Sequence, residues 1–499
     1  MPLILAHDLG TTGNKASLFD DQGRLVASHT EHYPVNYAPA GWAEQDPIDW
    51  WRAVTTSTRA LLAEAKVDPA GIAAVTFSGQ MMGIVPIDAA GQPLRSAIIW
   101  ADQRAVEEAE TIAVRCGPEH VYRRTGHRVS PAYLAAKILW VKQHQPDLYR
   151  QAKKFLCAKD FVAFKLTGRC ATDYSDASGS NLFDLTQRAW SADLIDALGL
   201  DAALLPEIHA STDILGEVTR AASEATGLKV GTPVVIGGGD GACAAAGAGV
   251  IAPGDAYCNI GSSAWISFAS AAPLFDPQQR TFTFHHLHPR LFTPMGTMQA
   301  AGGARDWLAQ LIGDVAGEDM AQVAPGCDGA LFLPYLIGER SPWWNPQARG
   351  AFVGLTMNHS RAALARAALE GVAFNLRLIL DALESQGAAL PAIRLIGGGA
   401  QSPVWQQILA DVFARPIHLL DLRSEASSWG AAVAGGIGVG VYAGWEIAKA
   451  RAEVKTVIDP IPAHVALYAD RLAVFTETYR ALENLSFTTP ARHMVAVAD

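Results

Sequence analysis

The sequence predicts an α/β protein whose two lobes face a central cleft. Short apolar strands such as 73–77 lie among longer segments of helical periodicity, which is the pattern of an α/β fold with mixed sheets. A hairpin with a glycine turn opens the chain and returns half a chain length later at 255–268, which favours two related halves. A glycine-rich passage at 234–254 marks the junction. The predicted lobes are 1–250 and 251–499, although two such turns could also be alike by chance.

Both hairpins join their strands through small residues that carry amide and hydroxyl donors. The first spans residues 3–19 around Gly10-Thr11-Thr12, and the second turns at Gly261-Ser262-Ser263. Backbone amides in such a turn, together with hydroxyls, can hold phosphate oxygens. We therefore predict two phosphate-binding turns, one contributed by each lobe.

Helical periodicity identifies the longer elements between the strands. Apolar residues recur with helical spacing in 134–141 and 361–383, and a helix over 404–413 begins after a Ser-Pro pair, a typical start signal. Residues 466–485 predict a final amphipathic helix, followed by a loose tail at 486–499. The period of the apolar residues thus assigns these elements to helices.

Composition and charge exclude several classes of function. The chain has 39 Lys and Arg against 49 Asp and Glu, and the formal charge of −10 provides no positive field for nucleic acid. Six cysteines without a Cys-x-x-Cys pair indicate reduced thiols in the core of a cytoplasmic protein. Residues 426–445 carry no charge over a length that could span a bilayer, but their glycines favour a closely packed buried helix. We expect a cytoplasmic protein with no nucleic-acid or membrane partner.

Two motifs imitate the ligand sites of other protein classes. His286 and His288 would share a face of an extended strand, but no third metal ligand accompanies them, and we interpret them as strand-end histidines. Residues 234–242 resemble the glycine-rich fingerprint of a dinucleotide-binding dehydrogenase. In that alternative Asp240 would direct a carboxylate at a pyrophosphate, which argues against it.

Asp240 can instead be interpreted as a general base at the end of a strand. Transfer of a phosphoryl group to a hydroxyl needs a carboxylate that accepts the proton, a metal that neutralises the phosphates and donors that surround them. Asp240, Asp8 and the two glycine turns can supply these parts, and the sequence has no P-loop motif. Together they predict a phosphotransferase that lacks a P-loop.

Motifs in a fixed order from residue 3 to about residue 445 resemble those of the FGGY carbohydrate kinases. They are Asp8–Thr12, Ser130–Pro131 with Lys137–Trp140 and Gln143–His144, Gly350–Leu355 with Leu369–Gly371, and Gly397–Trp405. The resemblance implies two actin-like, ribonuclease H-like domains around a central cleft. It also implies an ATP-dependent kinase that uses Mg²⁺, with a small-molecule sugar bound by the N-terminal domain and the nucleotide mainly by the C-terminal domain.

The same resemblance assigns site residues to this sequence. Asp240 would be the proton acceptor and Asp8 the carboxylate near Mg²⁺, reached through phosphates or water. The sugar-binding residues would be Gln80, Met81, Met82, Trp100, Asp102, Asp240 and Gly241. The contacts to ATP and its phosphates would come from Gly10, Thr11, Thr12, Gly261, Ser262, Ser263, Gly398, Gly399, Ala400 and Ser402.

Some residues near these motifs also admit a purely structural interpretation. Asp102 and Arg104 could pair with each other across a loop, and Glu339 could form an ion pair with Arg340. The pair Trp343-Trp344, on a loop flanked by proline, could cover the cleft when it closes.

Within the family, several segments are most similar to those of kinases that act on ketopentoses such as D-xylulose. These segments include Ser78–Met81, Trp100–Arg104 and Gly338–Pro342. Such kinases carry His where this chain has Met82, and Asn where it has Gly241. Loss of two polar groups weakens recognition of at least one hydroxyl. Another ketose or polyol, such as a deoxyketose, a tetrulose, ribulose or an erythritol-type polyol, is therefore the alternative acceptor.

Two further alternatives concern activity and assembly. A catalytically silent sugar or nucleotide sensor, or an actin-like assembly protein, could share the fold because fold does not fix function. The presence of both Asp8 and Asp240 favours catalysis. A homodimer is compatible with the sequence, which does not determine the oligomeric state.

Overall fold

Two seven-stranded sheets organise the computed structural model, which describes residues 1–38, 41–421 and 425–485. Its strands are β1 Leu3–Leu9, β2 Gly13–Phe19, β3 Leu25–His32, β4 Asn36–Ala38, β5 Trp42–Gln45, β6 Ile72–Gly79, β7 Val85–Ile87, β8 Ala97–Ile98, β9 Lys154–Leu156, β10 Ala171–Asp173, β11 Phe183–Asp184, β12 Ala189–Trp190, β13 Glu207–His209, β14 Ile214–Glu217, β15 Pro233–Val235, β16 Gly238–Gly239, β17 Ala256–Ile260, β18 Ala264–Phe268, β19 Phe282–His285, β20 Phe292–Met298, β21 Leu331–Leu333, β22 Ala351–Val353, β23 Ile393–Ile396, β24 Ile417–Leu420 and β25 Val454–Ile458. Its α-helices are α1 Pro47–Glu64, α2 Val106–Cys116, α3 Pro118–Thr125, α4 Leu134–His144, α5 Pro146–Gln151, α6 Ala158–Thr167, α7 Tyr174–Ser178, α8 Ala192–Leu198, α9 Arg220–Thr226, α10 Asp240–Gly247, α11 Gly302–Ile312, α12 Gly317–Gln322, α13 Arg361–Glu384, α14 Pro403–Phe413, α15 Ala426–Gly438, α16 Glu446–Arg451 and α17 Pro462–Leu482.

The two sheets share one pairing pattern around the predicted hairpins. The first has the order β14-β15-β6-β1-β2-β3, with β16 as a seventh strand that also pairs with β6, and in it β1 pairs antiparallel with β2 and parallel with β6. The second has the order β19-β20-β18-β17-β23-β24-β25, in which β17 pairs antiparallel with β18 and parallel with β23. Recurrence of a hairpin and a parallel neighbour supports two related halves over a chance similarity of turns. The predicted α/β class with two actin-like domains is confirmed.

The ends of β1, β6 and β16 lie side by side at one edge of the first sheet. Asp8 is in parallel register with Ser78, and Gly239 is in parallel register with Gly79. Parallel strands direct their carboxyl ends to the same edge, where ligands of α/β sheets bind. The turn after β1, the segment after β6 and Asp240 after β16 therefore meet in one place.

Helix α15 packs on the first sheet although it lies between β24 and β25 of the second sheet in the chain. It lies so close to α10 that a Cβ on Gly430 would be 1.9 Å from the carbonyl oxygen of Cys243. The glycines in 426–445 predicted a buried helix that packs closely against its neighbours, and this prediction is confirmed. Its predicted length is wrong, because the helix ends at Gly438 and the chain turns at Gly440, whose φ is 74°. Among the described residues, no helix has the length and apolar character needed to cross a membrane.

The helices predicted from periodicity are confirmed with shifts at their ends. Helices α4, α13 and α14 cover the three predicted segments. The Ser402 hydroxyl caps α14 by accepting a hydrogen bond from the amide of Trp405. Helix α17 begins at Pro462 instead of 466, since proline is well suited to the first turn of a helix. The tail predicted at 486–499 lies outside the described residues.

Histidine and cysteine side chains serve packing and turns, as predicted. Strand β19 ends at His285, and the His286 ring accepts a hydrogen bond at 2.8 Å from the backbone amide of His288. These histidines therefore hold a local turn after the strand. All six cysteines are free thiols, and four of them are buried.

Candidate active site

Asp240 is the first residue of α10, directly after two glycines that the packing requires. A Cβ on Gly238 would lie 2.2 Å from the Leu287 side chain, and one on Gly239 would lie 2.5 Å from the sulfur of Met81. Any larger residue at either position would displace these neighbouring side chains. The glycine run that resembles a dinucleotide fingerprint is explained by this packing.

A buried polar chain fixes the backbone immediately before Asp240. The amide of Gly239 donates to Ser175 Oγ at 2.9 Å, and Ser175 Oγ donates to Asp173 Oδ2 at 2.6 Å. Lys159 Nζ lies 3.0 Å from the other oxygen of Asp173. Because buried charges are stable only when paired, this network holds its members in one arrangement.

The same lysine explains a group of potential metal ligands. Cys157, Asp160 and Asp176 form the group of three closely spaced ligand side chains found among the described residues. Lys159 Nζ lies 2.6 Å from Asp160 and 3.2 Å from Asp176. The ammonium group therefore provides the positive charge that this acidic cluster needs.

Asp240 is accessible from the cleft, and the pKa of its carboxyl group is raised. Its carboxylate is exposed to the cleft, yet protein surrounds it closely enough to disfavour its charged form. This burial, and secondarily the nearby charge of Asp8, raises the pKa of Asp240 to about 7. The amide of Gly241 donates to Asp240 Oδ1 at 2.8 Å and partly offsets the shift. A carboxylate with this pKa is suited to accept a proton near neutral pH.

Asp8 is the second acidic group at this edge of the sheet. It is half-buried near the end of β1, and burial raises the pKa of its carboxyl group. Carboxylate oxygens, completed by phosphate oxygens and water, are the ligands that Mg²⁺ prefers. The position of Asp8 beside the first phosphate turn therefore fits the predicted magnesium contact.

The two predicted phosphate-binding turns are braced mainly through their carbonyl oxygens. In the first, Tyr33 Oη donates to Gly10 O at 2.6 Å and Gln45 donates to Thr11 O at 2.7 Å. In the second, the amides of Ala301 and Gly303 donate to Ser262 O at 2.8 Å and 3.0 Å. Thr12 and Ser262 are exposed, and the neighbouring hydroxyl residues Thr11 and Ser263 line the space beside Asp240. Both turns therefore present hydroxyls to the cleft.

A cavity of about 170 Å³ opens beside Asp240. It is lined by Thr11, Met81, Met82, Trp100, Tyr133, Asp240, Gly241, Ser263, Trp265, Phe282, Phe284, Met295, Thr297 and Arg340. Five of the seven predicted sugar residues lie in this set. The structure thus brings most of the predicted sugar site together around Asp240.

The aromatic wall of the cavity was missed by sequence reasoning. Phe282 and Phe284 face it from β19, with their rings 5.6 Å apart, and Trp265 faces it from β18. The Trp265 indole donates to Tyr257 Oη at 2.8 Å, which in turn donates to the carbonyl of Gly241 at 3.0 Å. The second sheet therefore closes the cavity and touches the segment that carries Asp240.

Gln80 and Asp102 lie outside this cavity. Gln80 is buried beneath the first turn, where its side-chain amide donates to Gln45 Oε1 at 2.8 Å. Asp102 is fully buried; its Oδ2 accepts hydrogen bonds from Arg104 Nη2 at 2.7 Å and from the amide of Ala43 at 2.6 Å, and its Oδ1 accepts one from Arg104 Nε at 2.9 Å. The predicted pairing of Asp102 with Arg104 is confirmed, so both oxygens of Asp102 are used within the protein.

Glu339 and Arg340 do not form the predicted ion pair. Glu339 accepts hydrogen bonds from two backbone amides, and burial raises the pKa of its carboxyl group to about 8. The Arg340 side chain lines the cavity instead. Trp344 packs against the ring of Phe282 at 6.1 Å, so it supports the cavity wall. Arg340 is therefore a cation beside the substrate space that sequence reasoning did not select.

Two larger cavities flank the glycine turn before α14. One, of about 440 Å³, is lined by Ala244, Asn259, Trp265, Ile396, Gly397, Gly398, Gln401, Ala426 and Ser427. The other, of about 330 Å³, is lined by Ser402 and Pro403 together with residues of α11, α12 and α13. The predicted nucleotide residues Gly398 and Ser402 line these spaces, whereas Gly399 and Ala400 are buried beneath them. Trp265 borders both the 440 Å³ cavity and the cavity beside Asp240.

This chain is similar to known carbohydrate kinases. The xylulose kinase of Escherichia coli K12 is 36% identical over 82% of this chain and 84% of its own length. The gluconokinase of Bacillus licheniformis is 30% identical over 96% of each chain. The structure of ligand-bound xylulose kinase from Lactobacillus acidophilus matches with a TM-score of 0.92 and 28% identity, covering 97% of this chain and 99% of that one.

Family models extend the match to both halves of the chain. The N-terminal domain of the FGGY family of carbohydrate kinases matches residues 3–247, and the C-terminal domain of the same family matches residues 256–439. The chain is an ATP-dependent sugar kinase, and it belongs to the FGGY family of carbohydrate kinases.

Proposed function

We propose that this kinase transfers the γ-phosphate of ATP to a hydroxyl of a ketopentose, D-xylulose or a related ketose. The observation that carries the proposal is Asp240, exposed to a small cavity beside two phosphate turns, with a pKa of about 7. Relatives named xylulose kinase support the choice of acceptor. Membership of the family overturns the dehydrogenase alternative and argues against a silent sensor.

In the proposed reaction, Asp240 accepts the proton of the attacking sugar hydroxyl. The hydroxyls and amides of the turns at Gly10–Thr12 and Gly261–Ser263 hold oxygens of the transferred phosphoryl group. Asp8 would hold Mg²⁺, which when bound neutralises charge on the phosphates. ATP would occupy the cavities at Gly398 and Ser402, and Trp265 borders both the cavity at Gly398 and the sugar cavity.

We further propose that the lobes divide near residue 250 and that the protein is cytoplasmic. The first sheet uses strands up to residue 239 and the second begins at residue 256, which supports this boundary. Six free thiols support a reducing compartment. Closure of the lobes would exclude water from the transferred group.

Residues 82 and 241 bear on the identity of the acceptor, because they determine how polar the cavity wall is. A Cβ on Gly241 would meet open space, so an asparagine there would extend into free volume. Met82 contributes a thioether in place of a polar side chain, and its Cγ lies close to the aromatic wall beside Gly179. A ketopentose would leave hydroxyls without partners at these points, which favours a deoxyketose or another less hydroxylated acceptor as the alternative.

Release of ADP in the presence of Mg²⁺ and ATP tests the proposal across a panel of acceptors. The panel contains D-xylulose, ribulose, deoxyketoses, tetruloses, erythritol and D-gluconate, with the Asp240→Asn variant as the blank. We expect turnover on at least one ketose, and we expect Met82→His with Gly241→Asn to shift preference toward D-xylulose by about tenfold or more.

The control for this change is Met81→Leu, which keeps an apolar side chain at the neighbouring lining position. Turnover on D-gluconate alone would overturn the proposed ketose. A preference that the double variant leaves unchanged would show that residues 82 and 241 do not select the acceptor.

A further inference from the structure

Lys137 is a fully buried lysine whose ammonium group binds only main-chain carbonyl oxygens. Its Nζ lies 2.8 Å from Met82 O, 2.8 Å from Ile99 O and 2.6 Å from Ala132 O. An ammonium group has three donors, so all of them are used. Burial lowers the pKa of Lys137 to about 7, and the three hydrogen bonds offset part of the cost of burying its charged form.

The three carbonyls belong to three separate segments that each supply a residue of the sugar cavity. Met82 lines the cavity itself, Ile99 directly precedes Trp100, and Ala132 directly precedes Tyr133. These segments follow β6, follow β8 and precede α4. One side chain therefore connects three pieces of wall that are far apart in the sequence.

The backbone at Met82 needs such support. Its φ is +64°, in the left-handed region that side chains other than glycine rarely adopt. A residue in this region persists where its surroundings hold it. The bond from Lys137 to the carbonyl of Met82 is a direct constraint on that conformation.

The geometry points to Lys137 as a positioning residue that fixes the sugar-facing wall of the cavity by holding the segments at 82, 99 and 132 together. Lys137 does not line the cavity, so it acts on the sugar through Met82, Trp100 and Tyr133. The inference rests on the sugar-kinase activity and is independent of which ketose or polyol is the acceptor.

The Lys137→Met variant tests the role because it keeps the length of the side chain and removes all three donors. We expect the KM for the best acceptor to rise about tenfold or more, because three charge-assisted hydrogen bonds that set the wall are lost. The KM for ATP is expected to stay within about twofold, because the nucleotide cavities use other elements. Lys137→Gln, which retains two donors, serves if the methionine variant does not fold, and it should give a smaller rise.

A second variant separates positioning from general stability. Glycine adopts a positive φ without strain, so the loss caused by Lys137→Met should be several-fold smaller in a Met82→Gly background. The matched control is Lys154→Met, because Lys154 Nζ also donates to two carbonyls, Ala203 O and Leu205 O, and does not line the cavity. We expect this control to leave both KM values unchanged.

Two results would overturn the inference. An unchanged KM for the acceptor in Lys137→Met would show that the wall holds its shape without the lysine. An equal loss in the acceptor and ATP parameters, the same in the Met82→Gly background, would assign Lys137 to overall stability. If no panel acceptor is phosphorylated by the wild type, the proposed function fails before Lys137 is tested.

Discussion

Replacing Asp240 with asparagine is expected to lower kcat by about a thousandfold or more. The amide has nearly the shape of the carboxylate but cannot accept the proton of the sugar hydroxyl. Affinity for Mg²⁺-ATP should not weaken, because the substitution removes a negative charge that repels phosphates. Steady-state release of ADP and calorimetric titration with ATP measure the two effects separately.

The control for this variant is Asp147→Asn, a change of the same chemistry at an exposed carboxylate of α5. It should leave kcat and ATP affinity at wild-type values. If ATP affinity fell as steeply as turnover in Asp240→Asn, Asp240 would be a nucleotide-binding residue and not the base.

Replacing Asp8 with asparagine is the second change with a large expected effect. We expect turnover to fall about a hundredfold and the Mg²⁺ concentration for half-maximal rate to rise, because one anionic oxygen ligand is lost near the phosphates. Titration of the rate with Mg²⁺ at saturating ATP measures both. An unchanged Mg²⁺ dependence would remove Asp8 from the metal site.

Thermal unfolding distinguishes these losses from misfolding. The pKa values of Asp8 and Asp240 are both raised in the folded protein, so each charged carboxylate opposes folding. For Asp240 the opposing contribution grows as pH rises from the unfolded value of about 4 to the folded value of about 7, and it persists above that. At pH 8 both asparagine variants should therefore unfold at the wild-type temperature or higher, measured by calorimetry.

The catalytic edge could be predicted because its parts are local in the sequence. Each part carries its signal within about ten residues: a strand, a turn rich in glycine and hydroxyl residues, and a strand directly followed by Asp240. Parallel pairing of β1, β6 and β16 then brings their ends together. Four helices, α4, α13, α14 and α17, also followed from apolar periodicity, whereas α15 ends earlier than its uncharged segment predicted.

The cavity wall could not be predicted because it depends on contacts between the two halves. Phe282 and Phe284 alternate along β19 in the way that core residues do. Only the folded structure shows that this face of β19 lines the cavity beside Asp240. Local sequence likewise does not show whether Asp102 points to a sugar or to Arg104. Lys137 lies in a helix that is apolar around it, and only tertiary structure brings it to two of its three carbonyl partners, Met82 O and Ile99 O.

The dependence of kcat/KM for the best acceptor on pH tests the central claim, that Asp240 is the base, most directly. Measured at saturating Mg²⁺-ATP, the value should fall on the acidic side with a midpoint near pH 7, because protonated Asp240 cannot accept the hydroxyl proton. The residual rate of Asp240→Asn should lack this acidic limb. A wild-type profile that stays flat from about pH 6 to about pH 8, or an Asp240→Asn profile with the same limb, would contradict the assignment of Asp240 as the base.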